Sequence, residues 1–260
     1  MENPSTGSQT VARAIELLRL VSRGGREGMR LADVVEASPL SRPTIHRLLA
    51  ELVEGGLLMR AADKRYVLGQ FAYELGLSAA THFHLRDLCA PFVDRIAQET
   101  GDTVFLVVRS GPDSFCLDRR TGAYPVKVFS VEVGNRQPMG VGAGGLALLA
   151  WLPEKDRNAV IERNANRLPH HGGLTAGNLG TMVAQARAQG YSRVADFAIA
   201  GVTGVGMPVC DAQGVPVAAL SVTSISMRMT APHQDEVLTV LAREVGRLRD
   251  ALGRSPSTGR

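Results

Sequence analysis

Residues 28–68 read GMRLADVVEASPLSRPTIHRLLAELVEGGLLMRAADKRYVL, and this stretch decides the fold of the first part of the chain. Apolar residues recur at helical spacing over 31–37. The segment Ser38-Pro39-Leu40 ends that helix, because proline disfavours the helical conformation of the residue before it. A second helix begins at Ser41, a typical N-cap residue, and Gly55-Gly56 ends it. The stretch therefore predicts two helices joined by a tight turn.

Two short strands are predicted directly after the second helix. The segments Leu57–Arg60 and Arg65–Leu68 flank the polar turn Ala61–Lys64, a pattern typical of a β-hairpin. Helix, turn, helix and hairpin together predict a winged helix-turn-helix, which places the N-terminal end of its second helix in the major groove of DNA. The side chains that we expect to contact the duplex are Arg42, Thr44, His46, Arg47, Lys64 and Arg65. A helical module that docks a protein instead of DNA is the alternative.

Length and composition exclude several classes of protein. The chain has 260 residues, enough for two domains, and its net charge of +4 is compatible with nucleic-acid binding. Its three cysteines are far apart and lack CxxC spacing, so we expect neither a disulfide framework nor a zinc site. No apolar run has the ~20 residues that span a bilayer, and the polar N-terminus lacks a signal-peptide pattern. We expect a reduced, cytoplasmic protein without a membrane partner, metal or cofactor.

Helices are predicted on both sides of the DNA-binding motif. Before it, the helix Thr10–Val21 should pack under the two later helices with one apolar face, formed by Val11, Ile15, Leu18 and Val21. After it, Gln70–Ala80 is apolar on one side and predicts a linker helix that helps to join two copies of the chain. We divide the chain into a DNA-binding domain (1–68), a linker helix (69–84), a second domain (85–253) and a disordered tail (254–260).

The second domain alternates helices with short strands. Its first helix, Asp87–Thr100, has an apolar face formed by Leu88, Phe92, Ile96 and Ala97. The predicted strands are Thr103–Val108, Phe115–Leu117, Val126–Phe129, Gly206–Asp211 and Val215–Thr223. The later predicted helices are Leu146–Leu152, which follows the glycine-rich loop Pro138–Gly145, then Glu154–Ile161, Leu179–Gln189 and Asp235–Leu252. This order predicts an α+β domain with an antiparallel sheet flanked by helices.

The chain resembles the isocitrate-lyase-regulator (IclR) family of bacterial transcription factors from about Gln9 to about Gly253. Four segments in this order carry the resemblance: LSRPTIHRLLAELVEGGLL, ETGDTVFLVV, VGNRQPMGVGAGGLALLAWLP and GVTGVGMPVCDAQGVPVAALSVTSISMRMT. The resemblance implies a repressor or activator that is not an enzyme, with a winged helix before a GAF-like domain that senses a small molecule. It also implies a homodimer or a dimer of dimers. The family's usual serine and lysine are replaced here by Pro43 and Leu146.

The resemblance also implies an effector site, in which a loop before a helix and a late strand hold the polar group of the ligand. The matching residues here are Ala143, Gly144, Gly145, Val202, Gly204, Ser221 and Thr223. Free N–H groups at a helix start suit an anion, and hydroxyls two residues apart in a strand share one face. Members that bind very small polar acids have an acidic residue and a cysteine where this chain has Val194 and Gly204. We therefore expect an aromatic or branched carboxylic acid.

Other interpretations stay open for these residues. The glycines can have the purely structural role of starting a helix, and the hydroxyls of Ser221 and Thr223 can form hydrogen bonds to nearby backbone groups. The chain can be a scaffold or an enzyme tethered to DNA, with Ser221 or Cys210 as nucleophile, although nothing places a base nearby. Cys89, Cys116 or Cys210 can also form a redox switch, and His82 and His84 can bind a metal.

Overall fold

The computed structural model describes residues 6–25, 27–80 and 84–254, and the chain divides into two compact units, Met1–His84 and Leu85–Arg260. The first unit contains helices α1 (Thr6–Ser22), α2 (Leu31–Glu36), α3 (Arg42–Glu54) and α4 (Gln70–Ala80), and strands β1 (Leu58–Arg60) and β2 (Tyr66–Leu68). The two strands pair antiparallel, with Leu58 opposite Leu68. The predicted winged helix-turn-helix is thus confirmed.

The core of the first unit lies between α1, α2, α3 and the hairpin. Its fully buried side chains include Leu17, Val34, Ile45, Leu49 and Leu58. Helix α3 begins directly after Ser41, as predicted. The Ser41 hydroxyl, however, lies 2.9 Å from the Thr44 hydroxyl and caps no backbone N–H group.

The predicted apolar face of α1 is confirmed for Leu18 and Val21 and wrong for Val11 and Ile15. Leu17 and Val21 are buried, whereas Val11 and Ile15 are 59% and 43% exposed. The buried stripe contains residues 14, 17, 18 and 21, which follow the spacing of one helix face. Val11 and Ile15 belong to the neighbouring stripe, so they do not pack under α2 and α3.

The linker helix α4 has the predicted bounds, Gln70–Ala80, and none of its residues is buried within its own chain. Its larger apolar side chains are all substantially exposed: Phe71, Tyr73, Leu75 and Leu77. Helix α4 therefore exposes apolar surface that the fold of the single chain leaves uncovered, and exposed apolar patches commonly mark interaction sites.

The second unit is built on a six-stranded antiparallel sheet with the strand order β5-β4-β3-β8-β7-β6. The strands are β3 (Thr103–Ser110), β4 (Asp113–Thr121), β5 (Arg136–Pro138), β6 (Ser192–Ala195), β7 (Val202–Cys210) and β8 (Pro216–Ile225). The helices are α5 (Leu85–Thr100), α6 (Ala143–Trp151), α7 (Glu154–Asn164), α8 (Ala176–Gln189) and α9 (Ala231–Arg254), with a 3-10 turn at Leu168–His170. The predicted α+β class is therefore confirmed.

Helices cover both faces of this sheet. On one face, Val104, Leu106 and Val222 pack with α5 and α9. On the other face, Phe105 and Ala219 pack with the apolar helix α6, and α8 lies against α6. Because side chains alternate along a strand, β3 and β8 contribute to both cores.

Several predicted elements differ from the structure. Residues 126–129 form no strand, because Val128 donates its N–H to the Thr103 hydroxyl and not to a neighbouring strand. The strand that pairs with β4 is instead β5, and the edge strand β6 was not predicted. Helix α6 begins three residues earlier than expected, so residues 143–145 form its first turn. In α5 the buried face includes Cys89 and Val93, and the expected residues 88 and 92 are only half-buried.

Candidate functional site

The N-terminal end of α3 presents polar side chains to solvent. Arg42, His46 and Arg47 are exposed, whereas Thr44 is half-buried and its hydroxyl is engaged with Ser41. The opposite side of the helix is buried in the core of the unit, so these exposed side chains lie on the surface that the motif offers to a duplex.

The hairpin adds two basic residues with different surroundings. Lys64 is exposed in the turn with a left-handed backbone (φ 66°), and its ammonium group has no hydrogen bond or ion pair to another described residue. Arg65 is 27% exposed and binds Asp63 at 3.0 Å, and its guanidinium also donates to the Gly28 carbonyl. The sequence prediction omitted Arg60, which is exposed at the end of β1 beside the Tyr66 ring.

In the second unit, a cleft lies where the first turn of α6 meets β8 and β7. Gly142 is the N-cap residue of α6, and the Leu146 N–H closes the first helical hydrogen bond onto its carbonyl. Within the described ranges, the N–H groups of residues 143–145 find no protein acceptor. The helix start therefore offers several donors and the positive end of a helix dipole.

Ser221 and Thr223 lie beside these N–H groups on β8. They are 4% and 7% exposed, and neither hydroxyl has a hydrogen-bond partner among the residues that the structure describes. Glycines on β7 stand opposite both: Gly206 pairs with Ser221 and Gly204 with Thr223. Neither hydroxyl oxygen is among the buried atoms that lack a partner, so both open onto the cleft, where they can bind a ligand beside the free N–H groups.

Glycine at two positions lets α6 approach the sheet closely. A Cβ atom on Gly144 would stand 2.6 Å from the Val107 side chain and 3.1 Å from the Ser221 hydroxyl oxygen. A Cβ atom on Gly204 would stand 3.0 Å from the Thr223 hydroxyl oxygen. Both substitutions would fill space between the helix start and the two hydroxyls.

The cleft has two adjoining compartments that enclose about 370 and 330 Å³ of empty space, part of it open to solvent. The first is lined by Phe105, Val107, Ser114, Cys116, Ser130, Val131, Gln137, Gly142, Ala143, Gly144, Gly145, Ser221 and Thr223. The second is lined by Ser130, Gly142, Ala143, Val194, Ala198, Ile199, Val202, Gly204 and Thr223. Neither lining contains a charged side chain. The structure thus brings all seven predicted effector residues to one cleft.

Sequence reasoning missed the polar residues on the far side of this cleft. Ser114 and Gln137 face each other across the β4–β5 pair, and Ser130 precedes β5 in the irregular segment 122–135. No local pattern identifies them, because only the pairing of β5 with β4 brings them to the helix start.

His233, the histidine that follows residue 171, is engaged away from the two candidate nucleophiles, Ser221 and Cys210. His233 lies 2.6 Å from a buried Asp102 oxygen, and the Asp102 carboxylate also accepts from Ser224 and Arg228. This histidine is thus committed to a structural cluster and contacts neither Ser221 nor Cys210. Burial, followed by the charge of Asp211, raises the pKa of the Cys210 thiol, which opposes thiolate formation.

Cys89 and Cys116 are buried thiols with raised pKa values. Burial is the main cause that raises the pKa of Cys89 and of Cys116 to about 12, with the Asp118 charge adding to it, so both thiols stay protonated at neutral pH. His84 is exposed, and His82 lies outside the described residues. The part of the chain that the structure describes has no cluster of three or more metal-ligating side chains. It also has no helix of the length and apolar character that crossing a bilayer requires.

Two family models match the chain in the order of its two units. The IclR helix-turn-helix domain matches residues 10–62, and the bacterial transcriptional regulator IclR C-terminal domain matches residues 77–247. The HTH-type transcriptional regulator XynR of Escherichia coli (strain K12) is 27% identical over 223 residues, 85% of this chain and 88% of XynR. The HTH-type transcriptional regulator KipR of Bacillus subtilis (strain 168) is 26% identical over 156 residues, 60% of this chain and 61% of KipR.

A solved structure shares the whole fold. It is an IclR homologue from Microbacterium hydrocarbonoxydans complexed with 4-hydroxybenzoate, with a TM-score of 0.71 and 25% identity over 95% of this chain and 100% of that chain. The curated relatives are transcriptional regulators and not enzymes. From both family models and from this likeness it follows that the chain belongs to the IclR family of bacterial transcriptional regulators, with a helix-turn-helix DNA-binding domain followed by the family's C-terminal domain.

Proposed function

We propose that this regulator binds an operator through its winged helix and senses a small aromatic or branched carboxylic acid in the cleft below α6. One observation carries the proposal: the free N–H groups of the first turn of α6 and two hydroxyls without a partner among the described residues meet in one cleft. The residues that we assign to the acid are Ala143, Gly144, Gly145, Val202, Gly204, Ser221 and Thr223.

The chemistry of the cleft favours a carboxylate head on an apolar body. The helix start and the hydroxyls supply donors for an anion. The second compartment adds apolar wall from Val194, Ala198, Ile199 and Val202, which suits a ring or a branched chain. A solved relative holds 4-hydroxybenzoate, an acid of this kind.

Thermal unfolding of the full chain with single acids tests the proposed sensing. Benzoate, 4-hydroxybenzoate, phenylacetate and 4-methylpentanoate are suitable probes, and an acid at ~100 times its Kd should stabilise the fold by about 2.7 kcal/mol. The double variant Ser221→Ala, Thr223→Val should lose most of that shift. Thr239→Val removes a hydroxyl from exposed α9 surface and should keep it. An undiminished shift in the double variant would place the acid elsewhere.

We assign base reading and phosphate contact to different parts of the winged helix. Arg42, Thr44, His46 and Arg47 would face base edges and nearby phosphates in the major groove, and Lys64 and Arg65 of the hairpin would contact the backbone. On a duplex selected from a random pool, each base-reading arginine should contribute roughly tenfold in affinity, from the ~1–3 kcal/mol of such contacts. The double variant Arg42→Ala, Arg47→Ala should therefore lose specific binding.

The control for the DNA experiment is Arg163→Ala, which removes an equal charge from exposed α7 surface and should bind normally. Normal binding by the double variant would refute this docking of the winged helix. Gel-shift titration at fixed salt compares all three proteins on one selected duplex.

We further propose that the chain assembles at least as a homodimer through α4. Because one winged helix covers a small footprint, tight binding needs two copies on a palindromic site. The exposed apolar side chains of α4, with Val11 and Ile15 of α1, supply surface that a second copy would cover. Light scattering at micromolar concentration should give a dimer or tetramer, and the variant Leu75→Glu, Leu77→Glu should be smaller. A monomeric wild type that binds one operator tightly would contradict the proposal.

A further inference from the structure

Gln137 is a polar side chain of the effector cleft whose two ends have different surroundings. Its Nε2 group donates to the Ser130 carbonyl at 3.1 Å. Its Oε1 atom has no hydrogen-bond donor among the described residues and lies 3.6 Å from the position of a Cβ atom on Gly142. Because Nε2 is held, the amide presents a fixed acceptor beside the start of α6.

The backbone of Gln137 is held as firmly as its amide. Gln137 pairs with Ser114 across β4 and β5, and its carbonyl accepts from the Ser114 hydroxyl at 3.3 Å. An acceptor that is fixed before a ligand arrives costs little ordering free energy when the ligand binds. The Gln137 side chain is thus suited to select ligands that carry a hydrogen-bond donor at a fixed position.

All other free polar groups described for the cleft can donate. They are the N–H groups of α6 and the hydroxyls of Ser130, Ser221 and Thr223, for which the described residues supply no hydrogen-bond partner. A carboxylate satisfies these donors but would leave the Gln137 oxygen facing another oxygen without a hydrogen between them. A ligand that also carries a donor next to its carboxylate satisfies both sides of the cleft.

We propose that the effector is a hydroxy acid whose hydroxyl stands on the carbon that bears the carboxylate or on the next one, and that Gln137 Oε1 accepts from this hydroxyl. The acceptor lies beside Gly142, the N-cap residue of α6, and the anion donors belong to the next three residues, so both stand at the same end of the helix. A hydroxyl fits better than an ammonium group, because no carboxylate side chain lines either compartment. This inference rests on the proposed acid-sensing function and refines its ligand class.

Calorimetric titration of the full chain with matched acids tests the inference. The pairs are mandelate and phenylacetate (each mandelate enantiomer separately), 2-hydroxy-4-methylpentanoate and 4-methylpentanoate, and salicylate and benzoate. In at least one pair the hydroxy acid should bind roughly fivefold to tenfold more tightly, the value of one neutral hydrogen bond. Equal affinity within every pair that binds overturns the inference and leaves acid sensing intact. Absence of binding by these six acids and by 4-hydroxybenzoate overturns the proposed acid sensing itself.

Two variants assign the effect to the Gln137 oxygen. Gln137→Met keeps the size and removes the acceptor, so the preference for the hydroxy acid should disappear. Arg119→Met removes the neighbouring contact of the same segment, from Arg119 to the Val131 carbonyl at 3.2 Å, and should keep the preference. If Gln137→Met does not fold, Gln137→Asn withdraws the oxygen by one methylene and should also abolish the preference. A preference that survives in the folded variant refutes the role of Gln137.

Discussion

The two faces of the six-stranded sheet differ in how two of their polar clusters are paired. On the side of α5 and α9, the buried Asp102 carboxylate accepts from Ser224, Arg228 and His233. On the side of α6, the hydroxyls of Ser221 and Thr223 face the cleft and have no partner among the described residues. The Asp102 cluster is therefore satisfied within the chain, whereas the two hydroxyls of the cleft are open to a ligand. The pairing is not complete on the first face, because Asp118, opposite Leu106, keeps one buried carboxylate oxygen without a partner among the described residues.

This difference separates groups that hold the fold from groups that await a ligand. An unpaired buried polar group costs free energy, and a fold keeps one only where something else recovers that cost. Paired groups should therefore matter for unfolding and hardly for binding, and unpaired groups should matter for binding and hardly for unfolding. Each of the following predictions can break this rule for one residue.

The largest effect is expected for Asp102→Ala. The change leaves Arg228 and His233 without the buried carboxylate between them, and loss of one partner of a buried ion pair costs about 3–5 kcal/mol. The free energy of unfolding should fall by that amount in urea titrations followed through Trp151, the single tryptophan of the chain, which ends α6. A loss below about 1 kcal/mol would show that the cluster does not hold the unit together.

Ser221→Ala should show the opposite behaviour. The hydroxyl has no partner among the described residues to lose, so the free energy of unfolding without ligand should change by no more than about 0.5 kcal/mol. Binding of the acid found in the thermal screen should weaken roughly tenfold to a hundredfold, because a hydrogen bond to a charged group contributes about 1.5–3 kcal/mol. A variant with a clearly lower free energy of unfolding and unchanged affinity for the acid would show that Ser221 supports the fold and not ligand binding.

The parts of the fold that the sequence predicts well are those whose ends have local causes. Ser38-Pro39 and Gly55-Gly56 stop helices through their own backbone preferences, and the motif between them agrees with the structure. The segment 126–129 was predicted as a strand because its apolar spacing is that of a strand. In the structure Val126 and Phe129 are exposed, and the segment pairs with no described strand. The apolar pattern does not encode such pairing.

In the candidate site, too, residues with a local sequence signal could be predicted, and residues placed by strand pairing could not. Ser221 and Thr223 could be found from their spacing, because residues two apart in a strand share a face. Resemblance supplied residues 143–145, although they form a helical turn and not a loop. Gln137 reaches the cleft only through the pairing of β5 with β4, a contact between segments whose own patterns gave no sign of pairing.

Glu244→Gln should give a smaller effect that depends on pH. Burial raises the pKa of Glu244, but hydrogen bonds from Arg95 and Arg243 lower it by more, and the net shift is downward. A carboxyl whose pKa is lower in the folded state stabilises the fold above its unfolded pKa, and this contribution is lost as pH falls through the folded pKa.

The variant should therefore be about 1–2 kcal/mol less stable than the wild type at pH 7, since the arginines that bind Glu244 remain partly exposed. The difference should shrink as pH falls below ~4, the range in which an unfolded glutamate becomes protonated. Urea midpoints at pH 7 and at low pH measure both values. A difference that grows toward low pH would mean that Glu244 is not held as a carboxylate.

The smallest effect is expected in the wing, where the same rule separates two neighbouring residues. The Lys64 side chain is unpaired among the described residues, and Lys64→Gln should leave unfolding of the first unit unchanged. It should weaken binding to all duplexes about equally and reduce the slope of log K against log salt by ~1, as expected for one lost phosphate contact.

Arg65→Gln removes the contacts to Asp63 and to the Gly28 carbonyl and should lower stability by about 0.5–1 kcal/mol. Because that guanidinium is already engaged within the wing, its variant should change the salt slope less than Lys64→Gln does. Gel shifts at several salt concentrations, with circular dichroism of the same samples, separate the two effects. Equal salt slopes for both variants would mean that Arg65 exchanges its ion pair with Asp63 for a phosphate contact when DNA binds. Pairing of a wing side chain in the free protein would then not predict whether it contacts the DNA backbone.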